Sequence, residues 1–171
     1  MGAFAMQYRT GGPVPEGVGL LISILLRYPE VGSVRYVLEN QVLKFTFTVR
    51  GPRQAAALPD KLPLALEVFH QLEERQMRVC SVAFTGTDQV GTVVITRDVD
   101  SMTQNEVGLI VDLVKGEFGQ DLVCEEGELP EEELVFQEEM IGHMLESIRN
   151  LDIDKNVIAV REEGRVLLFR N

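Results

Sequence analysis

Apolar residues recur along this chain with either the helical or the strand period, and the changes between the two mark out its elements. Val18, Leu21, Ile22, Leu25 and Leu26 form a helical stripe over residues 16–27, and Leu20 and Ile24 widen it nearly all round. A helix that apolar must be buried or lie at an interface. Val34 to Leu38 and Val42 to Val49 predict a hairpin turning at Glu39-Asn40. In its second strand Leu43, Phe45, Phe47 and Val49 face one way and Lys44, Thr46 and Thr48 the other, so one face is core and the other wetter.

Helical spacing returns at Leu62, Ala65, Leu66, Phe69 and Leu72, predicting a helix over residues 62–76. Val79 to Phe84 and Thr92 to Arg97 predict another strand pair. Thr103-Gln104-Asn105-Glu106 is a capping box. The helix it opens carries Val107, Ile110, Val111, Val114 and Phe118 on one face and ends near Gly119. Asp121 to Cys124 reads as a short strand. Pro130 opens a helix running to about Asn150, and a last hairpin pairs Val157–Val160 with Val166–Phe169. Gly11, Gly12, Pro13 and Pro15 make residues 1–15 read as a loose arm.

The order between Val42 and Glu125 is strand, helix, strand, strand, helix, strand, the connectivity of the ferredoxin-like, split-βαβ fold. The expected class is α+β. A ferredoxin-like antiparallel sheet core over residues 34–127 follows an arm and apolar helix (1–33) and precedes a helix plus β-hairpin (128–171) packed on it, all in one compact domain. The strand order also resembles that of ACT-type regulatory domains. That resemblance implies small-effector binding near the loop after the first core strand, although the long 50–61 loop departs from the family's short Gly-containing turn.

Charge narrows the function. A net charge of −11 repels phosphate backbones and anionic membranes, so no nucleic-acid and no membrane partner is expected. Gly17 to Leu26 is far shorter than the roughly 20 apolar residues of a spanning helix. No secretory pattern is evident, and Cys80 and Cys124 form no CxxC pair and read as buried thiols, so a cytoplasmic protein is expected.

The candidate site follows from the expected topology. With the first and third core strands read as adjacent and parallel, their C-terminal ends would bring Arg50, Gly51, Arg53, Arg97 and Asp98 to one rim. Arginine suits carboxylates and phosphates, so this rim is the candidate small-anion site; the competing reading is a set of surface ion pairs with Asp60, Asp98 and Asp100. Asp98 and Asp100 also suggest a divalent-ion site, but no histidine stands near them. His70 and His143 lack metal-ligand spacing and read as surface or boundary residues. The Glu-rich segment 125–139 reads as a solvated helix start or as a docking face for a basic partner.

No nucleophile elbow, phosphate-binding loop or dinucleotide fingerprint is present, so no catalytic residues, cofactor or metal are assigned. The reading that results is a non-enzymatic, ligand-sensing or protein-interaction module. The apolar first helix and the Thr-rich sheet face point to a homodimer. The alternative is a small divalent-metal-dependent hydrolase or transferase using Asp98 and Asp100.

Overall fold

The computed structural model describes residues 5–8, 16–51, 58–125, 129–150 and 156–170. Along the chain run β1 (Ala5–Tyr8), α1 (Glu16–Arg27), β2 (Ser33–Val37), β3 (Val42–Arg50), α2 (Leu58–Leu72), β4 (Cys80–Gly86), β5 (Val90–Asp98), α3 (Gln104–Phe118), α4 (Glu131–Asn150), β6 (Val157–Glu162) and β7 (Arg165–Arg170). Short 3₁₀ turns at Val99–Ser101 and Gly119–Asp121 flank α3. The strands form one sheet in the order β1-β7-β6-β2-β3-β5-β4. Neighbours from β7 to β4 are antiparallel, and β1 joins β7 in parallel, so the fold is α+β.

Strand alternation puts one face of this sheet under the helices. Val34 and Tyr36 of β2, Phe45 and Phe47 of β3, Val93 and Ile95 of β5, and Ala159 of β6 are all buried. Phe45 lies directly between Val34 and Ile95 across three strands, so each side chain packs on its cross-strand neighbours. The helices touch in the succession α2, α3, α4, α1 and close this face. On the other face Lys44, Thr46 and Thr48 stay half-buried. The apolar stripe of α1 is consumed within the chain: Leu20, Leu21, Ile24 and Leu25 are sealed in the core, with α4 alongside. Burial of each such side chain contributes about 1.5–3 kcal/mol.

The expected direction of the central strands is corrected. β3 and β5 are adjacent but antiparallel. The α2 crossover makes β3 and β4 run the same way, and the tight turn after β4 reverses the chain. β5, inserted between them, must therefore oppose both.

Two further expectations change. The strand expected at Asp121–Cys124 is reduced to a single bridge, Val49 to Leu122, with the Val123 N–H donating to the Thr48 carbonyl at 2.8 Å. β2 already occupies that edge of β3 as far as Thr46, which leaves Thr48 and Val49 for a partner. Part of the expected loose arm, Ala5–Tyr8, is strand β1. Both cysteines are free thiols, but neither is buried as expected: Cys80 is partly buried and Cys124, beyond the single Leu122 bridge, is exposed. Burial pushes the Cys80 thiol pKa up.

Candidate functional site

The ladder between β3 and β5 separates the expected arginines. Arg97 stands opposite Leu43 and Arg50 opposite Val90. Seven residue steps along the strand, roughly 24 Å at 3.4 Å each, separate the two positions. Arg50 is exposed at one end of the sheet, beside Gly51, whose φ of 53° closes the strand and whose N–H donates to the Gln89 carbonyl at 2.8 Å. Arg53 lies outside the described residues. The rim that would gather Arg50, Gly51, Arg53, Arg97 and Asp98 does not form, since antiparallel strands put their C-terminal ends at opposite edges.

Arg97 instead turns inward and is the largest fully buried side chain in the protein's described core. Its Nε donates to Glu106 Oε2 at 2.9 Å, and its Nη2 to Glu106 Oε1 at 2.7 Å and to Ser101 Oγ at 2.9 Å. Nη1 donates to the Val79 carbonyl at 2.7 Å and to Asp98 Oδ1. His70 of α2 contacts Glu106 through Nε2. A carboxylate can only accept, so the Nε2 proton points to Glu106; Arg97 Nη2, 3.1 Å away, makes a close approach to the ring and not a second bond. Buried charges survive in this way only when paired and hydrogen-bonded. His70, expected at the surface, is buried because it continues the inner row Leu58, Leu62, Leu66 of its helix.

Asp98 is equally committed. Its Oδ1 accepts the Arg78 and Val79 N–H groups at 3.1 and 3.0 Å, and its Oδ2 the Ser101 N–H at 3.0 Å, capping the 3₁₀ turn. Burial works to raise the Asp98 pKa. The Val79 and Ser101 hydrogen bonds and the charge and hydrogen bond of Arg97 overcome it and hold the group at about 2. Asp100 points to solvent and lies 3.4 Å from Arg78. Among the described residues no three His, Cys, Asp or Glu side chains gather as a metal site. The Arg97 cluster is sealed, and it fastens β5 to α2 and α3.

Arg161 of β6 makes a second internal anchor. Its guanidinium donates to the Leu25 carbonyl, to the Tyr28 carbonyl and to the Val31 carbonyl, the last two at 3.3 Å. Those oxygens lie at and just beyond the C-terminus of α1, where a cation complements the helix dipole. Burial lowers the Arg161 pKa, against the opposing charge of Glu125, whose Oε2 is 3.8 Å away. Glu138, in the same Glu-rich segment as Glu125, pairs with Arg27 at 2.7 Å. Two carboxylates of the segment read as a solvated helix start or a docking face therefore pair within this chain.

An open cleft of about 380 Å³ lies between the end of α1, α3 and α4. It is lined by two cations, Arg27 and Lys115, and three carboxylates, Glu30, Asp112 and Glu138, with Tyr28, Gln104 and Gly108 among the remaining wall residues. The Arg27 guanidinium stacks 4.7 Å from the Tyr28 ring centre. Gln104 Nε2 donates to the Tyr28 hydroxyl at 2.8 Å. Burial raises the Tyr28 pKa, against the lowering effect of that bond. Lys115 Nζ stands 3.5 Å from Glu30 Oε1. Glu30 Oε2 and Gln104 Oε1 are buried and have no hydrogen-bond partner. Gly108 keeps the wall thin, since a Cβ there would sit 3.3 Å from the Tyr28 hydroxyl. None of these cleft residues was singled out in the sequence as a site residue. They come from the end of α1 and the turn after it, from α3 and from α4, and the packing of α1 and α3 on α4 unites them. Comparison with family models, curated proteins and solved structures gave no significant match.

Proposed function

We propose that this chain is a non-enzymatic, cytoplasmic ligand-binding module whose site is the cleft between α1, α3 and α4. The observation that carries the reading is the pair of buried, unpartnered acceptors, Glu30 Oε2 and Gln104 Oε1, at a polar opening. An unpaired buried acceptor costs about 1–3 kcal/mol, which a donor from a ligand recovers. Three carboxylates against two cations make the cleft net negative. The favoured ligand is thus a small molecule with an amino or ammonium group, in place of the anion that an arginine rim would have taken. The Arg27 and Lys115 cations suit a carboxylate on the same ligand.

The split-βαβ reading of the core draws support from the succession β3, α2, β4, β5, α3 and from the Leu122 bridge beside β3. No described helix is long and apolar enough to cross a membrane. The net charge continues to disfavour nucleic acid. The metal-dependent alternative draws little from Asp98, whose oxygens already accept three backbone N–H groups and the Arg97 guanidinium.

A thermal-shift screen of amino acids, primary amines, carboxylates and phosphates tests the reading. Amine-bearing compounds should raise the melting temperature, and a Gly108→Val variant, with its side chain against Tyr28, should lose that response. Stabilisation by anions alone, or a response unchanged in Gly108→Val, would refute it.

A further inference from the structure

The exposed edge of the sheet at β4 and the outer side of α2 form one uncovered surface. Cys80-Ser81-Val82-Ala83-Phe84-Thr85-Gly86 contains no charge and no proline, and no described strand pairs with its outer side. Edge strands normally carry a charge, a bulge or a cover that blocks further pairing, and among the described residues this one has none of them. The β4–β5 ladder fixes which groups are available. The Asp98 N–H donates to the Val79 carbonyl at one end, and the Thr87 N–H to the Val90 carbonyl at the other. Alternation then points the backbone N–H and C=O groups of Cys80, Val82, Phe84 and Gly86 outward.

The helix above repeats the pattern. α2 packs on β4 and α3 through Leu58, Leu62 and Leu66. Its opposite side carries Leu64, Val68 and Leu72, exposed by 63%, 57% and 81%. Side chains four apart line one stripe, so these three make a continuous apolar row where a solvated helix would be polar.

We infer that the occupant is a second copy of this chain, joined through antiparallel β4–β4 pairing across a two-fold axis at Ala83. That register pairs Val82 with Phe84 and Cys80 with Gly86 in both directions, and so satisfies all four outward residues. It extends the sheet without interruption. The same axis lays the two α2 helices side by side in opposite directions, Val68 near its own counterpart and Leu64 near Leu72. Lys61 at the start of one helix then faces Glu73 and Glu74 beyond the end of the other, and the charges complement. A net charge of −11 opposes association in general, which makes a surface with an uncharged strand and self-matching charges the place where two copies meet.

Light scattering on the purified full chain should give twice the 19.1 kDa chain mass. Val68→Glu and Ala83→Lys, both at exposed positions, should each yield folded monomer by circular dichroism and scattering. In a Cys80→Ser/Cys124→Ser background, Ala83→Cys should form an interchain disulfide on mild oxidation, because the two Ala83 residues would form a close, non-hydrogen-bonded pair. A monomeric parent chain, a dimer indifferent to both charge substitutions, or no Ala83→Cys crosslink would each overturn the assignment.

Discussion

Arg97 and Glu106 grip each other through two parallel hydrogen bonds of 2.9 and 2.7 Å, and neither side chain reaches solvent. Removing one partner leaves the other charged and buried. Arg97→Met should therefore cost about 3–5 kcal/mol, whereas Arg97→Met/Glu106→Leu should be less damaging than Arg97→Met alone. Urea midpoints of the two single variants and the double variant, compared in a thermodynamic cycle, check the sign of this coupling.

Asp98 should shape the acid limb of stability. Its pKa falls from 3.8 to about 2 on folding, so the unfolded chain binds the proton more readily than the folded one. The stabilisation, about 2 kcal/mol, is present above pH 3.8 and fades as pH falls toward 2. Asp98→Asn should flatten the stability profile across that window, as read from melting temperatures at a series of pH values.

Arg161→Met keeps the aliphatic stem and removes the donors that meet the carbonyls of Leu25, Tyr28 and Val31. The Tyr28 carbonyl keeps the Val31 N–H at 3.0 Å, but leaving the Leu25 and Val31 carbonyls without the guanidinium should cost about 1–3 kcal/mol. Amide exchange in the last turn of α1 should rise more than exchange in α3. Equal loss of protection in both helices would count against a local anchor.

Gly86 faces Gly91 across the β4–β5 hairpin. A Cβ on Gly86 would lie 2.7 Å from the Gly91 Cα and 2.8 Å from the Val90 carbonyl oxygen, closer than atoms tolerate. Gly86→Ala should destabilise by about 1–3 kcal/mol as the strands shift apart. By contrast Gly116→Ala, with open space around its Cβ, should stabilise α3 modestly, by up to about 1 kcal/mol. Calorimetry of both variants separates the two outcomes.

Much of the architecture is legible in hydrophobic periodicity. Residues 16–27 emerge as helix with the bounds expected, and Glu163-Gly164 turns the last hairpin, both at positive φ. The polar interior is also written in phase, although its chemistry points elsewhere. Arg97 alternates inward with Val93 and Ile95, His70 follows Leu66 by one helical step, and Glu106 precedes Ile110 by one. Each residue type suggests a surface position, while each phase places it inside. Their mutual pairing resolves the conflict, and pairing between distant segments is what a single chain read linearly does not display. Thr103 caps α3 as its motif predicts, accepting from the Glu106 N–H at 3.3 Å, but the Glu106 carboxylate leaves the box for Arg97. The cleft was illegible for the same reason: Glu30, Gln104 and Glu138 meet only after the helices pack.

The Arg161 anchor bears on how the protein emerges from the ribosome. Helix α1 has its terminal carbonyls met by a residue made more than a hundred positions later. Until the closing hairpin is translated, that apolar helix lacks its lock, and a chaperone that shields it during elongation would have a defined interval in which to act.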